Sequence, residues 1–262
     1  MAIPNRVITS LRNPKVKLAR ALVRRRERHA QKKFLAEGTR LIAEGIRAGH
    51  VPALVFYDAS ALRDDARAEE LIRGLRAHTE VFQVDEATLR ALTLLESPPG
   101  LVAVFDFPQL DIPSEADFLL ILDQVRDPGN LGTILRSAWA AGVNLVYLSP
   151  TTVDAFNPKV TRAAMGAHFR LPIKQTNWDE IAGAVKSMPR VYLADARGEL
   201  DYTRADWTRP LALVIGGEAE GAGKEAREIA TARVSIPLAE QAESLNAAMA
   251  ATVLLFKAAN RN

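Results

Sequence analysis

Three short stretches of this chain combine residue types and spacings suited to ligand chemistry. In Asn130-x-Gly132-x-x-x-Arg136 an amide and a guanidinium stand on one segment behind the turn Pro128-Gly129. Asn130 is expected to cap the helix that follows, and Leu131, Ile134, Leu135 and Ala138 to form its buried stripe. At about 100° per residue Arg136 lies roughly 140° from the centre of that stripe, so its guanidinium points away from the core. The second stretch, Gly216-x-Glu218-x-x-Gly221, directly follows an apolar run, and its glycines let a backbone approach a ligand closely. It is not a P-loop, because Lys224 is followed by Glu225, and no G-x-G-x-x-G threads through it. Glu218 and Glu220 would repel a polyphosphate, so the loop suits a cationic or uncharged ligand. The third runs from Ser235-Ile236-Pro237 to Ser244-Leu245-Asn246, where Ser244 reads as a helix N-cap and Asn246 falls in the first turn of a very apolar helix. Each stretch alone is equally compatible with ordinary caps and surface side chains.

The surrounding pattern has to bring them together. Apolar runs at 118–122, 145–148, 191–194, 211–215 and 234–236, separated by helical segments, describe a mostly parallel sheet covered on both faces. In such a sheet the ligand sits beyond the carboxyl ends of the strands, where all three stretches begin. The last element, 244–259, is apolar nearly all round and must be buried on several sides, within the domain or against a second copy. Upstream, helices at 13–29, 39–48, 64–77 and 86–94 alternate with strands at 53–57, 81–84 and 101–105, a small α/β sandwich. Two prolines and three acids without periodicity at 106–115 mark a linker. The domain reading is therefore 1–107, a linker at 108–117, and 118–262.

Charge is unevenly distributed. Residues 1–107 carry 18 basic and 13 acidic groups, whereas 108–262 carry 16 and 18, so the net +3 splits into +5 and −2. Between Arg6 and Lys33 eleven Lys or Arg face Glu27 alone. Such density of one sign favours a polyanion, most naturally a nucleic-acid backbone, and Arg12, Arg24, Arg25, Arg26, Arg28, Lys32 and Lys33 are its expected contacts. The length of 262 residues, 48% hydrophobic and 25% charged, allows a globular chain of one or two domains. No cysteine is present, which excludes disulfides, thiolate nucleophiles and Cys-ligated metal, and suits a reducing cytoplasm. The apolar run at 247–256 is too short for a membrane span, and the start lacks the apolar core of a secretory signal. His29, His50, His78 and His168 form no ligand-spaced pair, so no metal is expected.

Taken in order, the three stretches resemble the signature motifs of the SpoU (TrmH) family of the SPOUT superfamily, S-adenosylmethionine-dependent RNA ribose 2′-O-methyltransferases. Ser10-Leu11-Arg12-Asn13-Pro14 and Phe34-Leu35-Ala36-Glu37-Gly38 are similar to the ribosomal-protein-like RNA-binding domain that many members carry. Glu240-Gln241-Ala242-Glu243 is more acidic than the glycine-containing loop of relatives. The resemblance implies a trefoil knot in the C-terminal domain, a homodimer, and large-subunit ribosomal RNA as substrate. It implies that Gly216, Ile236 and Leu245 hold the cofactor through backbone groups, with Ile215 beside the adenine. It also implies that Arg136 belongs to the catalytic centre, with Asn130, Glu218, Ser244 and Asn246 around it.

Methyl transfer to a hydroxyl needs oxygen, methyl carbon and sulfonium sulfur in line, and the sulfonium already makes the methyl electrophilic. A guanidinium does not readily lose its proton, so Arg136 is read as binding the phosphate beside the target ribose or stabilising the developing alkoxide, with the first proton acceptor left open. Asn130 and Ser244 would orient the hydroxyl or the arginine, and Glu218 would fix the arginine or its loop. Transfer RNA as substrate, a non-catalytic ribosome-assembly protein and a base methyltransferase are the rival readings.

Overall fold

A computed structural model describes residues 7–218, 221–240 and 244–260. Its backbone contacts divide into two compact units. One comprises residues 1–109 together with Phe156–Phe169, and the other residues 110–155 and 170–262. The segment Phe156–Phe169, which the sequence pattern assigns to the C-terminal domain, is thus part of the first unit.

The first unit is a five-stranded sheet in the order β1-β4-β3-β5-β2, built from β1 (Val7–Ile8), β2 (Lys33–Glu37), β3 (Leu54–Tyr57), β4 (Glu80–Val84) and β5 (Leu101–Asp106). β5 runs antiparallel to both β2 and β3, and the other pairs are parallel. Alternation along the strands supplies two cores. Phe34, Ala36, Val55, Ala103 and Phe105 face α3 (Thr39–Arg47) and α4 (Ala66–Leu75), while Leu35, Phe56, Val102 and Val104 face α1 (Pro14–Ala21) and α5 (Glu86–Arg90). Phe169 completes the first of these cores. Its ring lies 4.8 Å from that of Phe105, edge to face, and a Cβ on Gly45 would come within 2.8 Å of it. Phe156 stacks on Phe107 with centroids 3.8 Å apart, and Arg162 of α7 (Pro158–Ala164) pairs with the buried Glu37 at 3.1 Å.

The single helix expected over 13–29 is two. Arg24 is extended (φ −90°, ψ 132°), and α2 (Arg25–Gln31) starts after it. The reason is Arg28, which is buried and donates to the last carbonyls before the break, Leu22 O at 2.9 Å and Val23 O at 2.6 Å. β2 is a strand the sequence pattern does not announce, because its apolar run is short and directly follows basic helix residues.

The second unit is a seven-stranded, wholly parallel sheet, β10-β12-β9-β11-β6-β7-β8. Its central strands β6 (Phe118–Leu122), β7 (Leu145–Leu148) and β11 (Leu211–Ile215) are buried at every residue, which explains their uninterrupted apolar runs. β9 (Val191–Ala194) and β12 (Ala232–Ser235) flank β11, and the short β8 (Ile173–Gln175) and β10 (Leu200–Asp201) form the edges. One face carries α8 (Trp178–Val185) and α9 (Lys224–Ile229) over Ile121, Val214 and Leu193. α6 (Pro128–Ala140) packs with α10 (Ala247–Ala259), where Ser137 Oγ and Thr252 Oγ1 lie 2.8 Å apart. α10 buries Ala248, Ala251, Leu254, Leu255 and Ala258, but leaves Met249, Val253 and Phe256 exposed.

Candidate active site

The carboxyl ends of β6, β11 and β12 release the three sequence stretches. β6 and β11 are neighbours, with Leu122 level with Ile215, and Asp123 continues the ladder by donating its N–H to Ile215 O at 2.9 Å. The Asp123 side chain is buried and accepts from the Gly223 N–H at 2.7 Å, tying the far end of the glycine loop back to β6. Two glycines are required by the chain's own path. A Cβ on Gly216 would stand 2.4 Å from Ala222 N, and one on Gly217 2.4 Å from Gln124 O. Gly217 and Gly221 exchange backbone hydrogen bonds at 3.1 Å, and Gly221 takes φ +69° to close the turn.

Local capping differs from expectation in both helices. Asp127, not Asn130, caps α6, accepting from the Asn130 N–H at 2.7 Å with Pro128 in the first turn. Asn246, not Ser244, caps α10, its Oδ1 accepting from Ala248 N at 2.9 Å and Met249 N at 3.3 Å. The cap lies two residues further on because an asparagine serves as well as a serine there. Ser244 is exposed and lines the cleft described below.

Freed from capping, the Asn130 side chain joins all three stretches. Its Nδ2 donates to Glu218 Oε1 at 2.7 Å, and its Oδ1 accepts from Asn246 Nδ2 at 3.1 Å. Asn246 therefore uses its oxygen for the helix and its nitrogen for the site. Arg136 is brought to the same helix but not into this chain of bonds. It is exposed, lies about 9 Å along α6 from Asn130 at 1.5 Å per residue, and makes no ion pair among the described residues.

Beside this network opens a cleft of about 990 Å³. Ile215, Gly216, Ile236 and Leu245 all line it, as do Glu218, Ser244 and Asn246. Leu254 and Ala250 add apolar wall, while Asp195, Arg197, Arg227 and Arg233 make a polar one. Gln241–Glu243 of the acidic loop lie outside the described residues.

Sequence reasoning misses Asp195. A signal for it exists: a charged residue directly following a buried strand, at the same sheet end as the three loops. Burial pushes its carboxyl up, but the Arg197 N–H at 2.9 Å and the guanidiniums of Arg227 and Arg233 at 3.2 and 3.7 Å outweigh that and hold it below the ordinary value. Arg227 also donates to Ala222 O at 3.1 Å, fastening the glycine loop from the opposite side to Asp123.

On the first unit, Arg12, Arg24, Arg25, Arg26 and Lys32 are exposed, and Lys33 pairs with Asp106. Arg28, expected among the RNA contacts, is instead buried against the Leu22 and Val23 carbonyls that follow α1, so its guanidinium is not available to a phosphate. Among the described residues no group of acids and histidines could hold a metal, and no helix is long and apolar enough to cross a membrane.

Residues 117–256 match the model of the SpoU rRNA methylase family, and residues 13–103 that of the MRM3-like substrate binding domain. A Bacillus subtilis 23S rRNA (guanosine(2553)-2′-O)-methyltransferase is 33% identical, covering 95% of this chain and 97% of the relative. Human mitochondrial rRNA methyltransferase 3 is 32% identical over 88% of this chain and 68% of its own length. Among solved structures, the SpoU methyltransferase AviRb from Streptomyces viridochromogenes in complex with AdoMet superimposes with a TM-score of 0.85 at 32% identity, covering 95% of this chain and 97% of that one. An AdoMet-bound rRNA methyltransferase from Sinorhizobium meliloti gives 0.83 at 32%, covering 97% of each chain. With three motifs joined at one end of a parallel sheet and a family match spanning more than half its length, this chain belongs to the SpoU rRNA methylase family.

Proposed function

We propose that the chain methylates a ribose 2′-hydroxyl of large-subunit ribosomal RNA, using S-adenosylmethionine. The observation that carries this reading is the Glu218–Asn130–Asn246 chain at the rim of a cleft lined by Ile215, Gly216, Ile236 and Leu245. The donor set fits the cofactor. Apolar side chains of Ile215, Ile236 and Leu254 suit an adenine, and a wall containing Glu218 suits a positive sulfonium while disfavouring a polyphosphate. When bound, S-adenosylmethionine supplies an electrophilic methyl group and requires no metal.

The chain's residues then have to position the acceptor. Asn130 is held from both sides, so its amide is fixed in orientation before any substrate arrives, which is how a polar site contributes to rate without reorganising. Arg136, exposed and without an acidic partner among the described residues, has its guanidinium free for the phosphate next to the target ribose or for the alkoxide that develops on it. Ser244 offers a hydroxyl from the cleft wall. The basic α1–α2 face carries the RNA backbone, with Arg12, Arg24, Arg25, Arg26 and Lys32 as its contacts.

A homodimer belongs to the same proposal. Met249, Val253 and Phe256 form an exposed apolar stripe along α10, between 38% and 58% accessible, the kind of surface that a second copy covers. So do a trefoil knot in the C-terminal part, supported by family membership, and a cytoplasmic site of action, supported by the absence of cysteine.

The test is methyl transfer from labelled S-adenosylmethionine to ribosomal RNA, followed by digestion to nucleosides. A 2′-O-methylnucleoside is the expected product. A methylated base, or cofactor-free RNA binding alone, would replace this reading with one of its rivals.

A further inference from the structure

The polar wall of the cleft holds a group that the methyl-transfer reading leaves unused. Asp195 occupies the centre of the sheet end: Ala194 is level with Ile215 on one side and Val234 on the other, so Asp195 stands between Gly216 and Ser235, where two of the cleft loops depart. It lines the cleft, and its side chain is 18% exposed. We propose that Asp195 accepts hydrogen bonds from the vicinal hydroxyls of the ribosyl group in the bound adenosine-type cofactor, an inference that rests on the S-adenosylmethionine reading above.

The chemistry follows from what the carboxylate has left over. An ionised carboxylate offers about four acceptor sites. Oδ1 takes the Arg197 N–H at 2.9 Å and Oδ2 takes Arg227 Nη1 at 3.2 Å, while Arg233 at 3.7 Å is an ion pair too long for a hydrogen bond. Capacity for two more donors remains. The neighbouring guanidiniums of Arg227 and Arg233 already balance the negative charge, so the site does not select for an ammonium group. Two adjacent neutral O–H donors match a two-oxygen acceptor best, and a cis-diol supplies them. Arg227 links this contact to the glycine loop, because the same guanidinium holds Ala222 O and Asp195.

The test compares binding of S-adenosylhomocysteine with that of its 2′-deoxy, 3′-deoxy and 6-desamino (purine) analogues, by calorimetry on the full chain and on Asp195→Asn. Wild type should bind each deoxy analogue roughly 10- to 100-fold more weakly than the parent, as expected for a hydrogen bond to a charged group. Asp195→Asn should weaken the parent and shrink the parent-to-deoxy ratio, because the amide keeps one accepting oxygen but loses the second oxygen and the charge. Wild type that binds parent and deoxy analogues alike overturns the proposal, and this arm stands even if the variant does not fold. So does an Asp195→Asn protein that keeps the ratio, or one that instead loses discrimination against the purine analogue. Wild type that binds none of the four overturns the cofactor reading as well, which separates the two failures.

Discussion

Asn130 and Glu218 are 88 residues apart in sequence, yet the amide of one donates to the carboxylate of the other at 2.7 Å. The bond joins the loop after β6 to the loop after β11, and Asn246 adds the third loop from the opposite side of the same amide. Replacing Asn130 by Ala should lower single-turnover methylation by about two orders of magnitude, the range for removing one preorganised polar group. Thermal stability should change little, since Asp127 caps the helix. Asp127→Ala is the counterpart: it should cost about 1 kcal/mol of stability and leave turnover nearly intact. Equal losses in the two measurements for Asn130→Ala would reduce it to a structural residue.

Arg136→Lys keeps the charge and loses the planar fork. Single-turnover rates should fall at least about tenfold, with cofactor affinity unchanged, because the residue lies off the cleft lining. A wild-type rate in that variant rules out the proposed role at phosphate or alkoxide.

Basic residues of the first unit separate into two groups. Neutralising Arg24, Arg25 and Arg26 together should weaken RNA binding and flatten the log–log salt slope, by roughly 0.7 to 0.9 for each phosphate that is no longer neutralised. Arg28→Ala should instead lower the melting temperature, since it leaves the Leu22 and Val23 carbonyls without their buried donor. Binding titrations across salt concentrations distinguish the two; an unchanged slope in the triple variant would move the RNA face elsewhere.

Phe169→Ala should destabilise the first unit by about 3–5 kcal/mol, the usual cost of truncating a buried phenylalanine. Denaturant unfolding followed by a probe in the N-terminal sheet, rather than in the methyltransferase sheet, should register the effect.

The Asp195 carboxyl, held below its ordinary value in the folded chain, makes a contribution to stability that is complete above the unfolded carboxylate pKa of about 3.9. That contribution declines as pH falls through the lower folded value. The melting-temperature gap between wild type and Asp195→Asn should therefore be constant near neutrality and shrink below about pH 4. A gap that widens on acidification contradicts the charged state.

Much of this architecture is legible in the chain because burial on both faces leaves a simple mark. β6, β7 and β11 are apolar without interruption, and the buried stripe Leu131, Ile134, Leu135 and Ala138 leaves Arg136 facing outward as its angle requires. The short edge strands β8 and β10 carry no such mark, being only partly buried. Cap identity is ambiguous for a physical reason: Asp127 and Asn130, or Ser244 and Asn246, are all competent caps, and only tertiary contacts decide which is released for other work. Arg28 is misread because a basic run advertises solvent and phosphate, while the carbonyls that capture one member belong to a helix break with no sequence signature. Asp195 escapes notice because no motif contains it, although its position after β9 follows the same rule as the other loops.

The core of the first sheet is finished by a stretch of polypeptide synthesised some fifty residues after the boundary at 109. A ribosome must therefore emit part of the downstream sheet before the upstream one can close, and the two parts of the gene are not interchangeable cassettes. A chimera that grafted another RNA-reading front end onto this enzyme would have to exchange Phe156–Phe169 along with it, or leave aromatic rings facing a surface shaped for different neighbours.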